Sequence, residues 1–156
     1  LKTRYWSTVP YQLGTGIDSV AIKFSARPCT AHTEVLPEEP DNDFLRHAMQ
    51  KTLSEKSACM EFLVQPRTRS AMSVEDSRTE WLEEEAPFYK VATITIPQQT
   101  FDTPEQNSFC ENLSFTPWHA LPEHRPLGSV NRLRKVIYAH ISRTRREANS
   151  VSMQEP

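Results

Sequence analysis

The stretch Gly128–Arg146, GSVNRLRKVIYAHISRTRR, contains no proline, no acid and no glycine after its first residue. Val130, Leu133, Ile137 and Ile141 recur at three- and four-residue spacing, which predicts a helix with one buried apolar face. Ser129 or Asn131 can cap its start, because either side chain accepts from orphan backbone N–H groups. Arg134 and Tyr138 stand four apart, so on a helix they lie on one side and can touch.

A guanidinium beside a phenol favours the phenolate, against an ordinary tyrosine pKa of about 10. A tyrosinate is a hard anionic oxygen ligand, suited to ferric iron. Spacing alone fits an ordinary helix tyrosine beside a solvated arginine just as well, and that arrangement is the commoner one.

The residues upstream add to the case. Phe109–Tyr138 reads FCENLSFTPWHALPEHRPLGSVNRLRKVIY. It resembles the C-terminal part of the catalase-like haem protein family. There, a Phe-x-Pro stretch leads through a proline-rich loop into Arg-x-x-x-Tyr. The Phe115-Thr-Pro-Trp-His segment followed by Glu123-His-Arg-Pro-Leu-Gly is similar to the shorter, bacterial-type branch. Large catalases continue after the tyrosine with Pro-Asp-Thr-His, whereas here Ala139-His-Ile-Ser follows. The likeness is strongest over residues 87–147 and weaker from Tyr5 to Gln65.

The resemblance implies that Tyr138 is the haem-iron ligand and Arg134 its phenolate partner. It implies that Arg145 contacts a haem propionate and that Phe115 packs on the porphyrin. A solvated arginine that complements the helix dipole, and simple core packing, are the plain readings of those last two. The cofactor would be ferric haem and the substrate hydrogen peroxide or an organic hydroperoxide. The fold implied is α+β: part of an antiparallel β-barrel with a C-terminal helix carrying the proximal ligand. Residues 1–150 would be the C-terminal half of such a domain and 151–156 a frayed tail. A homo-oligomer is compatible with this reading. No residue here matches the family's distal histidine motif, so His119 and His124 are read as loop hydrogen-bonders.

Composition allows one domain with a modest core. The formal net charge of −2 points to neither nucleic acid nor membrane. Charge is nevertheless uneven: Glu75–Glu85 is acidic, while the last helix carries Arg132, Arg134, Lys135, Arg143, Arg145 and Arg146. That helix also carries an apolar stripe, which argues against a nucleic-acid reader. Cys29, Cys59 and Cys110 are odd in number, widely spaced and free of any Cys-x-x-Cys pattern. They read as free thiols in a reducing, cytoplasmic compartment. No apolar run is long enough for a membrane span, and the start does not look like a signal peptide. The chain begins with Leu1, which fits a fragment or a processed chain, and the catalase-like resemblance implies that the missing barrel strands would lie upstream.

In chain order, Tyr5 to Leu13 reads as an irregular entry and short edge strand interrupted by Pro10. Gly14-Thr-Gly16 is a turn, lacking the residues of a phosphate loop. Ser19–Arg27 alternates, with Val20, Ile22 and Phe24 on one face, and predicts a half-buried strand. Ala31–Pro40 is a loop. Asp41 or Asn42 caps a helix over Asp43–Lys56 with Leu45, Ala48, Met49 and Leu53 as its stripe. Met49 reads as core filler. Cys59–Gln65 and Phe88–Ile96 are further strands, each closed by a proline. A short helix is expected around Trp81, with Glu83, Glu84 and Glu85 as a solvated face. Phe101–Gln106 reads as loop, followed by a short extended piece around Leu113 and Phe115. A non-enzymatic haem-binding or interaction domain is the alternative function.

Overall fold

The computed structural model describes residues 3–29 and 37–152. Most of the expected 31–40 loop and most of the tail after Val151 therefore lie outside the described residues. The elements are β1 (Tyr5–Trp6), β2 (Tyr11–Leu13), β3 (Val20–Pro28), α1 (Phe44–Glu55), β4 (Ala58–Pro66), β5 (Tyr89–Ile96), α2 (Pro104–Asn112) and α3 (Gly128–Ala148). The fold is α+β, with five antiparallel strands and three helices. Strands β3, β4 and β5 lie side by side, and β1 and β2 share the free side of β3. Among the described residues the sheet is open and does not close into a barrel.

The β3–β4 register pairs Ile22 with Pro66, Phe24 with Val64 and Ala26 with Phe62. Alternation therefore places Ile22, Phe24, Met60, Phe62 and Val64 on one face and Ser25, Leu63 and Gln65 on the other. Half-burial was expected, yet both faces are covered in part: Ile22 and Met60 are buried on the first, and Ser25, Leu63 and Gln65 on the second. Ser25 is tolerated there because its hydroxyl donates to the Tyr5 carbonyl and accepts from Arg4 Nε. Gln65 is satisfied by donating to the carbonyls of Trp81 and Ala86 at 2.8 and 2.9 Å. Those two bonds hold the irregular 67–88 segment over the sheet, where Met72, Trp81 and Ala86 form a buried cluster.

That segment has no helix at Trp81; Glu83–Glu85 form a turn instead. Glu83 and Glu85 are tethered by Arg4 and Arg69. α2 occupies ground expected to be loop and irregular chain, and no strand forms at Leu113 or Phe115. The physical reason is a capping box. Thr103 accepts from the Gln106 N–H, Gln106 reaches back to the Thr103 N–H, and Pro104 occupies the first turn. In α1 only Thr52 and Leu53 are buried, while Leu45 and Met49 are exposed, so Met49 is not core filler. Asp43 is the α1 N-cap residue, with no side-chain cap bond.

Cys29 and Cys59 are bonded to each other. They face each other at the end of the β3–β4 pair, where Cys29 N–H also donates to the Cys59 carbonyl. The expectation of three free thiols therefore fails, and with it the basis for a reducing compartment. Their separation of 30 residues hid the pairing, which only strand register creates. Cys110 alone is free and exposed. No helix among the described residues is long and apolar enough to cross a membrane.

Candidate functional site

The site is built where β2 meets the start of α3. Gln12 N–H donates to the Arg125 carbonyl at 2.9 Å, and Leu127 N–H donates to the Pro10 carbonyl at 3.0 Å. Tyr11 bridges Pro126, and Arg125 Nε donates to Gln12 Oε1 at 2.6 Å. These bonds make the proline-rich lead-in a partial sixth strand and aim the helix that follows.

Two further contacts set the helix start. Gly128 has φ +83°, and a Cβ there would run into the Val74 backbone oxygen. Asn131 is fully buried and donates through Nδ2 to the carbonyls of Pro10 and Leu127. It locks the helix to β2 from within, rather than capping it. The expected cap at Ser129 is also absent: its hydroxyl donates to the Glu75 carbonyl, and Leu127 is the N-cap residue.

With the helix so placed, the Arg134 guanidinium lies close enough to the Tyr11 phenol to act on its charge. Burial pushes the Tyr11 phenol above its ordinary pKa, while the Arg134 guanidinium opposes that shift. Tyr138 lies close enough for its charge to act on Tyr11. The ring of Tyr11 stacks at 4.9 Å on Phe24, which lies 5.6 Å from Phe62. An aromatic row on the sheet thus leads to a Tyr11–Arg134–Tyr138 group on β2 and α3.

Tyr138 is 40% exposed, with its helix neighbours Leu133, Ile137 and Ile141 exposed as well. The apolar stripe expected to be the helix's buried face is therefore uncovered. What α3 buries instead is a polar line of Asn131, Ser142 and Arg146. The reason is the Asn131 anchor: once Asn131 points at Pro10, residues on the stripe are turned outward.

Arg145 donates through Nη2 to the Leu113 carbonyl, which ties α3 to the end of α2. Its Nε is buried without a partner. Phe115 is exposed on the connection between α2 and α3 and takes no part in the interactions that join Tyr11, Arg134 and Tyr138. The backbone N–H groups of His119 and His124 close local turns onto Thr116 and Leu121. Among the described residues no group of three His, Cys, Asp or Glu side chains is placed to hold a metal ion. Tyrosine oxygen with an adjacent guanidinium is the donor set that α3 offers.

Arg134 and Tyr138 were legible in the helix spacing. Tyr11 was not, because it is far away in sequence and its strand is three residues long. Neither protein-family models nor curated protein sequences give a match to this chain.

Proposed function

We propose that this chain is the proximal, C-terminal part of a catalase-like haem protein, with Tyr138 as the ligand to ferric iron. The observation that carries the reading is the uncovered stripe of Leu133, Ile137 and Ile141 on the same helix as the exposed Tyr138. An apolar face of this kind needs a covering group, and a flat macrocycle is one that a tyrosine oxygen can hold. A tyrosine hydroxyl, a guanidinium one turn earlier and apolar side chains alongside are the residue types such a group requires.

Ferric haem supplies redox chemistry toward hydrogen peroxide or organic hydroperoxides when bound. The chain's own residues hold and bias it. Arg134, one turn before Tyr138 on the helix, would be the counter-ion of its phenolate, with Tyr11 close by on β2. Arg145 stands two turns beyond Tyr138 on the same helical face and would contact a haem propionate from there. Phe115, exposed, would close on the porphyrin edge. On this reading the open sheet is a portion of a catalase-like barrel.

The test is a ferric-haem titration of the chain and of Tyr138→Phe, followed by absorption spectroscopy. The expected result is a tyrosinate-type ferric spectrum that vanishes in the variant. Arg134→Leu should weaken ferric-haem affinity by roughly 10- to 100-fold, as loss of a ligand's supporting partner does at metal sites. A spectrum and affinity unchanged in both variants would overturn the proposal. Haem bound through Tyr138 without peroxide turnover, in a chain that also carries the distal half, would instead identify a non-enzymatic haem-binding domain.

A further inference from the structure

On the other side of α3 lies a cavity of about 480 Å³, lined among others by Trp118, Lys135, Ala139, Arg143, Arg146 and Val151. Lys135, Ala139 and Arg143 are each two residues away from Leu133, Ile137 and Ile141, and two residues on a helix turn about 200°. The cavity is thus separate from the stripe beside Tyr138. Its walls are the helix and the loop that carries Ser114, Thr116 and Trp118.

The charge of this cavity is unbalanced. Lys135, Arg143 and Arg146 face it against a single acid, Glu147. Among the described residues none of the three cations forms an ion pair. Arg146 is 8% exposed, its Nη2 donates to Ser142 Oγ at 2.5 Å, and its Nη1 is buried with no partner. A buried guanidinium with an unused donor is costly unless something accepts from it. Lys135 is held over the Trp118 ring at 4.6 Å, and Trp118 is fixed in turn by donating from Nε1 to the Asn131 carbonyl at 2.7 Å. The cationic side is therefore preorganised, and Ala139 and Val151 supply an apolar wall.

We infer that this cavity binds a small organic anion, with a carboxylate or phosphate group held by Arg143 and Arg146 and an apolar body lying against Trp118, Ala139 and Val151. Arginine suits either headgroup, since its fork of donors matches both. The volume lies in the range of small-molecule sites, about 300–1,000 Å³. The inference does not depend on haem binding at Tyr138.

Calorimetric titration at low salt with phenyl phosphate, phenylacetate and the neutral benzyl alcohol tests it. At least one of the anions should bind saturably, and about tenfold or more tighter than benzyl alcohol. The tighter of the two identifies the headgroup. Arg143→Gln removes an exposed cation and spares the Arg146–Ser142 contact, so it should fold normally and weaken the anion by several-fold. Arg146→Gln should weaken it further, and Arg27→Gln, on β3, should leave it unchanged. Anions that bind no tighter than benzyl alcohol would overturn the inference, as would wild-type affinity in Arg143→Gln.

Discussion

Glu61 accepts from Arg27 on one side, at 2.7 Å, and from Lys90 on the other, at 3.0 Å. It thereby links β3, β4 and β5, straight across to Arg27 and diagonally to Lys90. The hydrogen bond from Arg27, then that from Lys90, holds its carboxyl below the ordinary glutamate range. A depressed folded-state pKa contributes stability that is present above the unfolded value and is lost as pH falls through the folded one. Thermal unfolding of wild type should therefore deteriorate faster than that of Glu61→Gln as pH drops from the ordinary glutamate value, about 4.3, toward lower values. Parallel curves for the two proteins over that window would refute the assignment. At the same scale, Arg134 illustrates how helix spacing names one neighbour and leaves another unseen. Its spacing to Tyr138 is visible in the helix, whereas its proximity to Tyr11 depends on a strand far upstream.

At the scale of elements, α3 depends on its first residue. Gly128 takes a left-handed φ and lies against the Val74 backbone. Gly128→Ala should destabilise the protein by about 1–3 kcal/mol, since both strain and a backbone clash must be relieved. Urea unfolding measures this, and a midpoint within error of wild type would show that the 72–75 segment yields freely. The strands β3, β4 and β5 and the helix α1 are within two residues of where alternation and proline punctuation place them. That accuracy follows from local signals: period-two apolar residues and a proline that cannot continue a ladder. α2 was legible too, in Thr103-Pro-Glu-Gln106, but proline and polar composition there pointed to loop. β5 starts one residue later than expected, at Tyr89, and carries a register shift opposite Phe62 and Leu63, which pattern alone does not reveal.

For the whole molecule, the Cys29–Cys59 bond is the one covalent tie between distant segments among the described residues. It closes a loop of sequence separation 30 that includes α1. Replacing both with serine should cost about 2–4 kcal/mol, chiefly by restoring freedom to the unfolded chain. Wild type in reductant should unfold at the same urea concentration as the double variant, and Cys110→Ser should unfold like wild type. If reductant leaves the wild-type midpoint unmoved, the bond does not contribute to stability.

The strands β3, β4 and β5, the helices α1 and α3 and the mixed α+β class were determined by the sequence, because each depends on neighbours within a few residues. Only the tertiary structure decided which face of α3 is buried. Apolar spacing marks a face that can be covered, but the buried Asn131 bond to Pro10 turned that face outward, and its partner stands 121 residues away. The disulfide, the Tyr11 contact, the openness of the sheet and the cavity around Arg146 have the same origin. Each joins residues that only strand register and helix docking bring together.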